Sequence, residues 1–268
     1  MVAIPKKVAE RLSAGIKRFQ PILLDARARD VGEADTVTIV KDMLEGVFGY
    51  CKYTEVTSEH AIRGTYCDLA IRINGMLQTL MEVKAIGLTL KDNHIKQAID
   101  YAANQGVDWV ALTNGIQWQV YKVHFTKPIQ HELVVDIDFC ALNAKKEHDL
   151  SLLYLWCKEG WAKSVIGDHY EKKQSLSRYY VGATILSEPV LKVIRQELRR
   201  LSPNVKIETN QIQKVIEEEV IKREVLEGEK ADQARNKIAR SAKKALKEKQ
   251  QKEQNQMTTL GLDSEEVA

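Results

Sequence analysis

The chain is poor in the residues that staple small proteins or hold zinc: four cysteines in 268 residues, no two of them forming a C-x-x-C pair, and only six histidines. Cys51, Cys67, Cys140 and Cys157 are too dispersed for a disulfide framework or a zinc ribbon, and a reducing, cytoplasmic compartment is the simplest expectation. No apolar run approaches the roughly 18 residues that span a bilayer. The opening MVAIPKKVAERL contains no apolar segment of a secretory leader, so no membrane or export role is expected. Charge of one sign is also scarce. Forty basic against 37 acidic residues leave a net charge of +3, so any polyanion binding has to come from local clustering.

What is present is a well-patterned globular sequence. Residues 1–31 carry Leu12, Ile16 and Phe19 at helical spacing and are read as an amphipathic helix ended by Pro21. A second helical pattern runs from Glu33 through Val37, Val40, Leu44 and Phe48. Three strands are expected at 50–57, 66–73 and 77–84, the last two joined by Asn74-Gly75, a strong hairpin signal. A helix over 93–105 shows Ile95, Ala98, Ile99 and Ala102 on one face. The apolar run Trp109–Leu112, a second Asn-Gly at 114–115 and the alternating IQWQVYKV complete the pattern. Two hairpins and one helical crossover imply an α/β fold with a mixed central sheet flanked by helices. Beyond residue 145 the chain reads as helical, with starts at Ser187 and at Asn210. Residues 230–252 hold nine cations against Asp232 and Glu248, and the stretch after 250 reads as disordered by composition. The expected division is an N-terminal helix (1–31), a core (32–145) and a helical C-terminal region (146–268).

Chemistry concentrates between Asp68 and Lys84. Alternation along a strand points Glu82 and Lys84 to one side and Met81 and Val83 to the other, and the Asn74-Gly75 turn folds Asp68 toward them. Two carboxylates with a lysine suit metal-assisted phosphodiester cleavage: hard oxygens hold Mg²⁺, and the ammonium orients water or offsets developing charge. Taken singly, each of these residues also reads as an ordinary exposed strand charge.

The pattern Asp68…Glu82-Val83-Lys84 resembles the PD-(D/E)xK nuclease signature. Gln97-Ala98-Ile99-Asp100-Tyr101 on the next helix is similar to a Q-x-x-x-Y motif of a subset of these nucleases. The run Leu112-Thr113-Asn114-Gly115…Trp118 and the opening Glu33-Ala34-Asp35-Thr36 resemble the N-terminal nuclease domain of type I restriction enzyme R subunits. Cys67 stands where many members have proline. The resemblance covers roughly residues 30–125.

It implies a restriction-endonuclease-like core and a DNA-cutting enzyme using Mg²⁺, for which Mn²⁺ can substitute. It further implies that Asp68, Glu82 and the Val83 carbonyl ligate the metal, with Glu33 as an auxiliary carboxylate. Lys84 would position or activate the attacking water, and Gln97 and Tyr101 would contact the nucleic-acid backbone or support the site. Tyr101 falls outside the apolar stripe of its helix, so core burial is not expected to explain it.

Several readings stay open on the sequence. Glu33 would stabilise its helix dipole whatever its function. Thr113-Asn114-Gly115 has a structural explanation as a hairpin turn, Trp118 is read as core, and His60, His94 and His124 as surface residues. No G-x-x-x-x-G-K-[ST] phosphate loop occurs, so these residues carry no ATP site; if the protein works with ATP, a partner must supply the motor, and a separate motor or specificity subunit is a candidate partner. Double-strand cleavage needs two sites, which suggests a homodimer. The basic segment is a solvated face, a phosphate-binding arm or, with Ile212, Val215, Ile216, Val220 and Val225, part of an assembly helix. The competing functional class is a non-catalytic nucleic-acid-binding or assembly subunit that keeps the nuclease fold.

Overall fold

In a computed structural model the described residues are 3–62 and 65–262, with the backbone alone described for 59–62, 65–66, 245–246 and 248–262. The chain forms two compact units, one ending at Tyr170 and one beginning at Glu171. This division differs from the one expected from composition. The first helix is an integral part of the first unit, because its apolar stripe lies in the main core.

The first unit is a six-stranded mixed sheet in sequential order, β1 (Val56–Ile62), β2 (Thr65–Ile73), β3 (Met76–Val83), β4 (Trp109–Thr113), β5 (Gln117–His124) and β6 (Gln130–Asp138). All neighbours are antiparallel except β3 and β4, which run parallel because a helix crosses between them. One face carries α1 (Lys6–Ala28), α2 (Glu33–Gly46), α4 (Glu147–Tyr154), α5 (Lys158–Ala162) and the start of α6 (Val165–Ser175); the other carries the crossover helix α3 (Asp92–Gln105).

The expected strand at 50–57 is a turn through Glu55, and β1 begins only at Val56. Pro21 does not end α1. Leu12, Ile16, Phe19, Leu23 and Ala26 continue one buried stripe across it, and at about 1.5–3 kcal/mol for each large side chain that burial outweighs the loss of one helical hydrogen bond. Pro21 itself is exposed, where water can satisfy the freed carbonyl. The turn at Asn74-Gly75 has positive φ at both residues, 50° and 78°, as a two-residue hairpin requires.

Strand β6 has no counterpart in the sequence reading. Its register explains why: Val120 pairs with Val135 but Tyr121 with Leu133, so Val134 is a bulged residue. Val134 and Val135 are both buried, and strict alternation is lost there.

The second unit contains the end of α6, then α7 (Arg178–Ile185), α8 (Glu188–Leu201), α9 (Thr209–Val215), α10 (Arg223–Leu226) and α11 (Glu229–Leu262). Helix α8 starts after Ser187 as expected, whereas α9 starts at Thr209 with a reciprocal cap between Glu208 and Gln211, two residues earlier than read. Leu191, Ile212 and Ile216 form a small core with Ile185, Leu186 and Ile194. The stripe from Ile212 to Val225 is not one helix. After a widened turn at Ile216–Val220 the chain is extended at Ile221, leaving Val215 and Val220 exposed. Helix α11 continues to Leu262 where disorder was expected; its Gln, Glu, Lys and Met residues are good helix formers despite their polarity. Residues 263–268 of the expected tail lie outside the described residues. No helix among the described residues is long and apolar enough to cross a membrane.

Candidate active site

The hairpin β2–β3 and the end of β3 assemble the charged cluster. Leu69 pairs with Met81, and continuing that register by one residue sets Asp68 opposite Glu82. Asp68 Oδ2 accepts a 2.7 Å hydrogen bond from the Val83 amide. Glu82 Oε1 lies 2.6 Å from Lys84 Nζ, and Glu33 Oε2, at the start of α2, lies 3.5 Å from the same ammonium. Asp68, Glu82, Val83, Lys84 and Glu33 are thus one connected group at the C-terminal end of β3, built from two strands and a helix N-terminus. Val83 is fully buried, Glu82 is buried, Lys84 is half-buried, and the Glu33 carboxylate is the exposed outer member.

Burial pushes the Glu82 carboxyl above the ordinary carboxylate range; the hydrogen bond from Lys84 opposes this and the charge of Asp68 adds to it. For Lys84 burial acts downward, but the hydrogen bond to Glu82 and the charges of Glu82, Glu33 and Asp68 outweigh it, so the net shift is upward. The ammonium therefore keeps its proton at neutral pH. In that state its Nζ donates to Glu82 and offsets the neighbouring carboxylate charges.

Gln97 and Tyr101 lie on α3, which packs on the other face of the hairpin and on β4. Gln97 is exposed. Tyr101 is 4% exposed and packs in the core under α3 with Cys67, Ala70 and Leu80, contrary to the expectation that core burial would not account for it. It sits on the flank of the apolar stripe, and its long ring turns inward over small residues of β2. Burial raises its phenol pKa. Cys67, at the position often proline in the resembling nucleases, is buried; its Sγ donates to the Met81 carbonyl at 3.0 Å.

Two residues given no site role from sequence hold the segment that follows Lys84. Thr36 is fully buried in the first turns of α2, and its Oγ1 accepts from the Ile86 amide at 3.1 Å. Asn114 Nδ2 donates to the carbonyls of Leu88 (2.9 Å) and Ile86 (3.4 Å), while its Oδ1 accepts from the amides of Gln117 (2.7 Å) and Ile116 (3.1 Å). The segment is a hairpin turn, as read, but displaced by one residue: Asn114 N donates to Gln117 O across a loop of Gly115 and Ile116, of which Gly115 has positive φ, 84°. A hydroxyl on the apolar face of α2 was the one available signal for Thr36.

Trp118 is core, as read, with its indole N–H donating to Gly115 O. His94 accepts from the Lys91 amide as part of the α3 cap. His124 is half-buried, 3.3 Å from the Tyr170 hydroxyl, rather than a surface residue. The side chain of His60 lies outside the described residues.

Among the described residues no three His, Cys, Asp or Glu side chains cluster closely enough to hold a metal ion between them. The donors expected at the end of β3 are two carboxylates on facing strands and the Val83 carbonyl, hard oxygens of the kind that suit a small divalent cation.

A mixed sheet with helices on both faces and charged residues converging at the end of β3 defines an α/β nuclease-like fold. Residues 52–137 match the family described as type I restriction enzyme R protein N terminus. The match spans about a third of the chain. It includes Asp68, Glu82, Lys84, Gln97, Tyr101 and Asn114 and leaves Glu33 outside. No curated protein and no solved structure matches the chain.

Proposed function

We propose that the protein is a metal-dependent deoxyribonuclease that hydrolyses phosphodiester bonds in DNA with Mg²⁺, carrying no ATP motor of its own in these residues and working in the reducing cytoplasm. The observation that carries this reading is the joined Asp68–Val83 and Glu82–Lys84–Glu33 group at the end of β3, within the span similar to the restriction-enzyme family.

Asp68, Glu82 and the Val83 carbonyl would hold the ion, and Glu33 would supplement them from α2. When bound, Mg²⁺ supplies the positive charge that polarises the scissile phosphate and acidifies the attacking water. Lys84, held protonated, orients that water and offsets the negative charge that develops on the phosphate oxygens. Thr36 and Asn114 fix the backbone immediately after Lys84, so the ammonium sits on a rigid support. Gln97, exposed on α3, would meet the DNA backbone. Tyr101 positions α3 against β2 through its packing.

A thermal-unfolding titration with Mg²⁺ and Mn²⁺ tests the ligand assignment. A ligand that binds the folded state raises the midpoint by mass action. The expected result is a rise in the parent that disappears in Asp68→Asn and Glu82→Gln. An equal rise in all three proteins would remove these two carboxylates from the metal site.

A further inference from the structure

The second unit carries a charged surface that the cluster on β3 does not use. Helix α11 is two-faced. Ala231 and Ala234 are buried where the helix packs on α7, and Ile238 is half-buried on the same side. At 100° per residue, Lys237, Arg240, Lys243, Lys244 and Lys247 fall on the flank and opposite side, all of them exposed. Ten residues separate the first from the last, a rise of about 15 Å. No carboxylate lies in the helix between Gln233 and Lys247: Asp232 precedes the series and pairs with Arg235, and Glu248 follows Lys247. Lys237 lies over the Tyr180 ring at 5.3 Å, which anchors one end of the series to α7.

We propose that this face of α11 binds the sugar–phosphate backbone of nucleic acid. A row of cations at alternating three- and four-residue spacing, free of interleaved acids, matches a ligand whose charge is repeated along a line. It reads no sequence, because it presents long flexible ammonium groups and one guanidinium rather than a shaped pocket. The surface is independent of the β3 cluster and requires no metal.

The test uses the full chain in EDTA, so that binding is measured without cleavage. The probe is a fluorescent 20-base-pair DNA duplex, titrated between 50 and 200 mM salt. Each phosphate neutralised contributes about −0.9 to the slope of log affinity against log salt. The triple variant Arg240→Gln, Lys243→Gln, Lys247→Gln is expected to bind more weakly at 50 mM salt and to have a slope shallower by about 2–3. A charge-keeping triple, Arg240→Lys, Lys243→Arg, Lys247→Arg, is expected to retain both, and circular dichroism checks that the helix is intact in each. Unchanged affinity and slope in the glutamine triple would overturn the proposal, as would absence of duplex binding by the parent at 50 mM salt. Equal loss in the charge-keeping triple would overturn it too. Binding to phosphatidylserine vesicles in place of duplex would assign the face to membranes instead. A parent that binds but never cuts would refute the nuclease reading and leave this one standing.

Discussion

Replacing Asn114 by alanine should destabilise the first unit by about 2–5 kcal/mol, a large share of what a domain has to lose. The side chain is 7% exposed and engages four backbone groups belonging to two segments. Two of those contacts, to the Ile86 carbonyl and from the Ile116 amide, are buried, and stripping each of its partner costs about 1–3 kcal/mol. The Leu88 carbonyl and the Gln117 amide are only partly buried and can turn to water at smaller cost. Thr36→Val removes the other restraint on the same segment, the hydroxyl that receives the Ile86 amide. Because both residues hold one loop, the double variant should depart from additivity by at least about 0.5 kcal/mol. The assay is urea unfolding followed by tryptophan fluorescence. Trp109, Trp118, Trp156 and Trp161 all belong to the unit that ends at Tyr170, so the signal reports that unit alone. A loss below about 1 kcal/mol for Asn114→Ala would show that these buried backbone groups are indifferent to losing their partner, against the clamp role assigned to Asn114.

Other outcomes follow from the charges and thiols. Arg11 grips Glu159 through two hydrogen bonds of 2.8 and 2.7 Å, and a double-mutant cycle with Arg11→Met and Glu159→Gln should give a coupling of about 1–2 kcal/mol, reduced from a fully buried pair by solvent screening. The hydrogen bond from Arg11 holds the Glu159 carboxyl below its ordinary value of 4.5. Its stabilisation is therefore present above that value and lost as pH falls through the lowered one, and Arg11→Met should remove this contribution to the acid limb of a stability–pH profile. Burial raises Glu82, so protons compete for it at higher pH than for an ordinary carboxylate. In a calorimetric titration, Mg²⁺ affinity should fall as pH drops into the upper carboxylate range, with Glu82→Gln abolishing binding at every pH. Burial pushes Cys67 and Cys157 up to about 12, whereas hydrogen bonding to Thr54 lowers Cys51. A thiol reagent at pH 8 should label Cys51 rapidly and Cys67 and Cys157 only on unfolding; rapid labelling of Cys67 would contradict its buried place beside Met81.

The site was legible where local rules and the fold agree. Strand alternation puts Glu82 and Lys84 on one side and the Asn74-Gly75 turn folds β2 back on β3, both properties of adjacent residues. A bulge at Gln78, which the sequence does not announce, then shifts the register by one residue so that Asp68 faces Glu82 and not Met81. Tyr101 was misread because a helical wheel records the direction of Cα–Cβ and not how far a phenol ring can turn toward space left by Cys67 and Ala70. Strand β6 was hidden by the bulge at Val134, which breaks the period by which strands are recognised. Pro21 and the polar end of α11 misled in opposite directions: packing of Leu23 and Ala26 carried a helix past a breaker, and helix propensity carried one through a segment that looked too polar to order. The clamp by Asn114 joins residues 26 to 28 positions apart, a relation no spacing rule expresses.

The most direct test of the account is cleavage itself. Supercoiled, linear and single-stranded DNA are incubated with the purified protein in Mg²⁺ and in EDTA, with Lys84→Ala and Asp68→Asn alongside. The expected result is strand scission that needs the metal and is lost in both variants while their folds persist. Cutting that survives Lys84→Ala, or an intact parent protein that cuts none of the three substrates with Mg²⁺ or Mn²⁺, would contradict it.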